Sequence, residues 1–147
     1  MAFPLYVALK IAHVLSMAVW FGGGAGVVAD LRRTLPLGPE PWEGARARTN
    51  GNARRTIAAG VSTLLTGLGL VFAAGGFGHV SSRVHLGFGL TLCTFVTGAA
   101  VVQPAWMKLS KLPLAAKADG LVTRMAWGFR LELALKLAVL VLMVTPT

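Results

Sequence analysis

The stretch that decides the fold is KIAHVLSMAVWFGGG, residues 10–24. From Lys10 to Asp30 the chain has no formally charged residue between the two ends, which matches the roughly 20 residues that a helix needs to cross a bilayer. Two ionisable side chains, Lys10 and His13, nevertheless stand at its start. We therefore expect a membrane-spanning helix with polar side chains in its first turns, and the role of these side chains is the main functional question.

The composition extends this expectation to the whole chain of 147 residues. Hydrophobic residues make up 55% and charged residues only 13%, against roughly 25% charged residues in soluble domains. Three more apolar stretches follow the first. The sequence predicts one all-α domain over residues 1–147, an integral membrane four-helix bundle with up-down-up-down topology. The predicted spans are residues 8–30, 56–78, 83–106 and 126–146.

The cationic residues cluster in two segments, and this pattern decides between nucleic acid and membrane as the partner. The net charge is +9, but the charges concentrate in residues 31–55 and 107–125, with long apolar stretches between them. This is the positive-inside pattern of membrane proteins, and it argues against nucleic-acid binding. We expect both segments to be cytoplasmic loops, with the N- and C-termini outside, in a bacterial inner membrane. Segment 31–55 is predicted to be a surface loop with room for a short interfacial helix around Trp42.

A stripe of residues in the first span carries its polar side chains. Lys10, His13, Met17, Trp20 and Gly24 follow in steps of three and four, so on a helix they share one face. A face toward lipid would not carry lysine and histidine. We expect this stripe to face the interior of the bundle.

A second histidine, His85, opens the third span. In an up-down-up-down bundle the first and third spans run in the same direction, so His13 and His85 enter from the outer side at nearly equal depth. Two facing imidazoles could ligate a b-type haem, and His79 in the outer connection could compete as a ligand. Copper on His13 and Met17 is the alternative, because imidazole and thioether both suit it. Histidines that only form hydrogen bonds in the core are a third interpretation.

The fourth span contains an acid and a base four residues apart, Glu132 and Lys136. That order favours a helical ion pair. One interpretation is a neutralised pair near the cytoplasmic side, with Lys136 extending toward the interface. The other is a charged group facing the interior, for a substrate carboxylate or a proton path. The sequence leaves both open.

The pattern K-x-x-H followed by W-F-x-G, here Lys10, His13, Trp20, Phe21 and Gly23, resembles the first span of HemJ-type protoporphyrinogen oxidases. It also resembles the wider group of small four-span proteins that includes CopD-like copper-resistance domains. The stretch RVHLGFGLTLCTF, residues 83–95, is similar to the HemJ third span. The resemblance implies a four-helix membrane protein that binds haem b, and in HemJ the activity is oxidation of protoporphyrinogen IX to protoporphyrin IX. It implies that His13 is a haem ligand, that Lys10 belongs to the site and that His85 is the third-span histidine. Gly87 stands where HemJ carries a lysine.

These observations together predict a haem b-binding membrane redox protein, of the oxidoreductase type if it is an enzyme. The expected partners are membrane lipid, a quinone, a tetrapyrrole substrate, and a second copy or a larger membrane complex. A copper-handling protein without haem, or a non-catalytic structural subunit, are the alternatives. The predicted site comprises three catalytic residues, Lys10, Glu132 and Lys136; two metal ligands, His13 and His85; and two further residues around the cofactor, Met17 and Trp20.

Overall fold

The computed structural model describes residues 3–112 and 118–144, and within these ranges it contains helices and no strand. The all-α prediction is confirmed. Short helical turns at Leu35–Leu37, Phe77–His79 and Gly98–Val102 link or extend the main elements. The α-helices are α1 (Phe3–Gly22), α2 (Val27–Thr34), α3 (Pro39–Ala73), α4 (Ser82–Thr97), α5 (Gln103–Leu109) and α6 (Ala118–Val144).

The helices alternate in direction and form two tightly packed pairs. In the first pair the side chains of Leu9 and His13 on α1 lie against Gly69 and Gly67 on α3, so the two helices run antiparallel. The glycines matter because they lack the Cβ that would hold the helices apart.

The second pair is α4 with α6, which also run antiparallel. Gly87 lies beside Val139 and Gly98 beside Glu132. The two pairs meet where the Trp20 ring stacks on Phe95, with 5.4 Å between ring centroids.

The first predicted span is broken rather than continuous. A turn at residues 23–26 ends α1 at Gly22, and Gly26 has a φ of 80°, a left-handed conformation that glycine adopts without a steric penalty. The α2 helix then continues from Val27. The Gly22 carbonyl accepts from the Ala25 amide in the turn, but the break removes the regular helical amides that would follow α1.

The predicted loop at residues 31–55 is wrong, because this segment is almost entirely helical. It contains the end of α2, a short turn, and the first half of α3, which is continuous for 35 residues. Proline and glycine suggested a loop, but Pro39 and Pro41 lie in the first turn of α3, where a missing amide costs nothing. Ala and Arg, which follow, are good helix formers.

A hydrophobic core closes the end of the bundle that carries these arginines. Trp42 lies in it, only 3% exposed, rather than at an interface. Its ring meets Trp106 edge-on, with 6.3 Å between centroids, and Trp106 Nε1 donates a hydrogen bond to Asn50 Oδ1 at 2.9 Å. We call this cluster the tryptophan core. Its buried members are Val27, Leu31, Trp42, Ala45, Ala105, Trp106, Leu109, Val122 and Met125.

The predicted loop at residues 107–125 is also too long. Helix α5 ends at Leu109, and α6 begins at Ala118, before the predicted start of the fourth span at residue 126. Residues 113–117 of this loop, and residues 145–147 at the chain end, lie outside the described residues.

Three helices of the described chain are long and apolar enough to cross a membrane: Pro4–Leu37 with its glycine turn, Pro39–Ala73 and Ser82–Leu109. Their outward faces carry large apolar side chains, such as Leu15, Leu65 and Val96, each more than 60% exposed. Helix α6 is long enough too, but it carries five charged residues: Asp119 and Arg124 near its start, and Arg130, Glu132 and Lys136 further along.

Candidate functional site

His13 is buried between α1 and α3, and its ring is held in one orientation. Nδ1 lies 3.1 Å from the Thr63 carbonyl oxygen and 3.0 Å from Thr66 Oγ1. A carbonyl can only accept, so Nδ1 carries the proton and donates. The Thr66 hydroxyl gives its own hydrogen to the Ser62 carbonyl at 2.6 Å and can accept from the imidazole. The Nε2 lone pair of the neutral ring is therefore left for a ligand, as in metal-binding histidines.

His13 borders a small cavity of about 50 Å³ among α1, α3, α4 and α6, which we call the histidine cavity. Met17 and Trp20 line it from the same face of α1, as the sequence predicts. Met143 lines it from α6. No described residue forms a hydrogen bond with Nε2. The cavity thus collects one imidazole nitrogen, two thioether side chains and the side chain of Lys136, whose ammonium group is paired with Glu132. Sequence spacing indicated Met17 but not Met143.

Lys10 does not face the interior, so its predicted orientation is wrong. Its side chain is exposed, and Nζ lies 5.5 Å from the centroid of the Tyr6 ring. A helix advances about 100° per residue, which places Lys10 about 60° away from His13 around the helix axis. Lys10 therefore lies at the edge of the stripe, where the helix surface turns outward.

His85 is likewise exposed and does not face His13 across the bundle. Its Nδ1 lies 3.1 Å from the Ser81 carbonyl oxygen, and its ring packs on Phe77 with 5.6 Å between centroids. The inward face of α4 at this level is Val84 and Gly87, about 100° and 160° away around the helix axis. His79, the possible competitor, is exposed too, and its Nδ1 lies 2.9 Å from the Gly75 carbonyl oxygen.

Glu132 and Lys136 form a buried ion pair on the inward face of α6. Lys136 Nζ lies 3.4 Å from Glu132 Oε2, and Lys136 is only 3% exposed. The same ammonium group donates to the Trp20 carbonyl oxygen at 3.1 Å and lies 4.7 Å from the Trp20 ring centroid. The two charges neutralise each other, as the first interpretation predicts, but Lys136 faces the bundle interior and does not extend toward the interface. A role for this lysine with a substrate carboxylate or in a proton path stays a prediction.

The glycine turn explains why Lys136 reaches this carbonyl. Because α1 ends at Gly22, the Trp20 carbonyl has no amide from a following turn to bond. The end of a helix also carries partial negative charge, which favours a cation. Lys136 thus links the end of the first helix to the middle of the last.

A second, larger cavity of about 440 Å³ lies on the other side of Trp20, toward the tryptophan core. We call it the aromatic cavity. Its walls come from α1 to α6, which is why no single sequence motif indicated it. The side chains that line it include Trp20, Asn52, Thr56, Thr94, Phe95, Trp106, Phe129 and Glu132.

The residues as arranged do not fit a haem held between His13 and His85. A space of about 50 Å³ holds an ion or a few small atoms, not a tetrapyrrole. His85 is exposed on another face of α4. Within residues 3–112 and 118–144, no three His, Cys, Asp or Glu side chains come together in a group that could hold a metal ion.

Comparison of the chain with protein-family models, with curated proteins and with solved structures finds no match. The similarity to HemJ-type and CopD-like proteins therefore rests on the few residues quoted above.

Proposed function

We propose that the chain is an integral membrane protein with four spanning helices, in which the arginine-rich end lies in the cytoplasm. The support is the exposed apolar surface of α1, α3 and α4, together with the gathering of cations at one end. Six arginines of α2 and α3 lie at the end that holds the tryptophan core. Under the positive-inside rule this end faces the cytoplasm of a bacterial inner membrane, and both termini face outward.

Cysteine labelling tests this orientation. In a Cys93→Ser background, single cysteines at Ala47 and Gly78 report on opposite ends of the bundle, and both positions are exposed. We expect a membrane-impermeant maleimide to label position 78 in intact spheroplasts and position 47 only after permeabilisation. The reverse pattern would refute the orientation, and equal labelling of both positions without permeabilisation would refute the membrane insertion.

We further propose that the protein handles copper, and that the histidine cavity binds one Cu(I) ion. The observation that carries this proposal is the free Nε2 of His13 beside the side chains of Met17 and Met143 in a space the size of an ion. One imidazole and two thioethers form a soft donor set, which favours Cu(I) over zinc or magnesium. The hydrogen bonds from Nδ1 fix the ring and increase the basicity of Nε2. Copper therefore suits this cavity better than haem.

The test is a Cu(I) competition titration of the detergent-purified protein with a chromophoric chelator. We expect one Cu(I) per chain, lost in His13→Ala and at least tenfold weaker in Met17→Leu and Met143→Leu. Met107→Leu is the matched control, because Met107 is exposed outside the cavity, and His85→Ala should also leave the affinity unchanged. An absorption spectrum is recorded on the same sample. A Soret band that is lost in both His13→Ala and His85→Ala would refute the copper proposal in favour of a bis-histidine haem.

A further inference from the structure

The aromatic cavity combines three features that recur in sites for positively charged amines. The first is a carboxylate with one oxygen to spare. Glu132 Oε2 is paired with Lys136, but Oε1 lies at the cavity wall near Gly98, and no described residue donates a hydrogen bond to it. A carboxylate accepts on both oxygens, so Oε1 can take a donor from a ligand.

The second feature is a set of side-chain oxygens in the wall that can accept further hydrogen bonds, alongside the Thr49 hydroxyl and the Gln103 amide, which can also donate. The Thr56 hydroxyl donates to the Asn52 carbonyl at 2.8 Å, and the Thr94 hydroxyl donates to the Leu90 carbonyl at 3.0 Å. The Asn52 amide nitrogen donates to the Gly23 carbonyl. The single hydrogen of each hydroxyl is engaged within the protein, and the oxygens retain lone pairs toward the cavity. A ligand that donates hydrogen bonds therefore finds acceptors in this wall.

The third feature is the set of aromatic rings. Trp20, Phe95, Trp106 and Phe129 all border the cavity, and Trp20 already holds the ammonium of Lys136 over its ring. Aromatic faces attract cations, and several of them together form the cages that recognise ammonium groups. The volume of about 440 Å³ is that of a site for a small organic molecule.

We propose that the aromatic cavity binds an amphiphile with a primary ammonium group, which donates to Glu132 Oε1 while its apolar part lies against the rings. The exposed residues Ile57 on α3 and Ala99 after α4 line the rim, so the cavity opens sideways between these helices. A ligand can thus enter from the apolar phase. The ammonium group can come from a free lipophilic amine or from a phosphatidylethanolamine headgroup. The aromatic cavity adjoins the histidine cavity through Trp20 and through Lys136, which lines the histidine cavity and pairs with Glu132. The proposal does not depend on copper binding.

The probe for the test is dansylcadaverine, a primary amine with a fluorophore that accepts energy from Trp20 and Trp106. Its N-acetyl derivative has the same body without the charge. We expect saturable energy transfer with the amine and at least tenfold weaker binding of the acetylated probe. Equal binding of the two probes would overturn the proposal, because it would show that only the apolar body is recognised.

Two variants locate the binding. Glu132→Gln alone would strand a buried lysine, so we use the double variant Glu132→Gln/Lys136→Met, and circular dichroism checks that its helix content is retained. It should weaken binding of the amine at least tenfold. Ala53→Trp, which fills the cavity, should do the same, whereas Ala58→Trp, on the exposed face of α3, should not. Unchanged affinity in the folded double variant or in Ala53→Trp would refute the site.

The source of the ammonium group is resolved in nanodiscs. If phosphatidylethanolamine competes with the probe and phosphatidylglycerol does not, the natural ligand chemistry is that of the lipid headgroup. If neither competes while the probe still binds, a free amine is the ligand class. Both results support ammonium recognition, and competition by phosphatidylglycerol to the same extent would contradict it.

Discussion

Replacing Lys136 with methionine removes one partner of the buried ion pair and keeps the size and apolar stem of the side chain. Three interactions disappear together. They are the ion pair with Glu132 at 3.4 Å, the hydrogen bond to the Trp20 carbonyl at 3.1 Å, and the contact with the Trp20 ring at 4.7 Å. The variant leaves a carboxylate and a helix-end carbonyl buried without a donor.

The expected loss of unfolding free energy follows from the burial of a carboxylate that has lost its partner. Breaking a buried pair by removing one partner costs about 3–5 kcal/mol, because the remaining charge stays desolvated. The lost hydrogen bond and cation–π contact are part of this figure, since interactions that share one group do not add. Removing both charges in Glu132→Gln/Lys136→Met should recover most of the loss, because neither side chain is then charged. The exposed Lys108→Met is the matched control and should change the free energy of unfolding by less than about 0.5 kcal/mol.

The assay is equilibrium unfolding in mixed micelles with increasing denaturing detergent, followed by tryptophan fluorescence and helical circular dichroism. The stability order should be wild type and Lys108→Met first, the double variant next, and Lys136→Met last. If Lys136→Met were as stable as Lys108→Met, the ion pair would not be buried as described. If the double variant were no more stable than Lys136→Met, the stranded charge would not be the cause.

Two further predictions concern packing. Gly67→Ala should lower the free energy of unfolding by about 1–3 kcal/mol and weaken Cu(I) binding, because a Cβ would lie 3.0 Å from Cε1 of His13 and push the ring away. Gly22→Ala has open space around it and is the control in the same titration. Trp106→Phe removes the donor to Asn50 and should cost at least about 1 kcal/mol by the same unfolding assay. A loss in the Trp106→Phe/Asn50→Ala double variant equal to the sum of the two single losses would contradict that pairing.

The sequence predicted the helices and their order better than it predicted which way their side chains point. Equal axial depth of His13 and His85 follows from counting residues, but rotation about the axis depends on which face of α4 packs on α6. In that contact Gly87 and Thr91 face inward, because small residues let the helices approach. Which face of α4 turns inward depends on the shape of α6, and the sequence of α4 alone does not specify it. The direction of the His85 side chain could therefore not be predicted.

The continuity of α3 was missed for a different reason. Proline, glycine and clustered arginines are common in loops, and each is weak evidence by itself. The helical conformation of this segment depends on a long-range contact. Burial of Trp42 against Trp106 stabilises the first turns of α3, whose local helix propensity is not decisive. The aromatic cavity was missed because its wall is assembled from many helices, each contributing a few residues without a periodic pattern.

The bond from Lys136 to the Trp20 carbonyl also bears on how the chain is assembled during synthesis. The two residues are 116 positions apart, so the first helix emerges from the ribosome long before its end can be satisfied. Until the last helix arrives, that end exposes a polar carbonyl that lipid cannot bond. A chain truncated before residue 136 would lack the lysine and would leave this carbonyl without its donor. The carbonyl at the end of the first helix thus gains its donor only after the last helix has been synthesised and has packed against it.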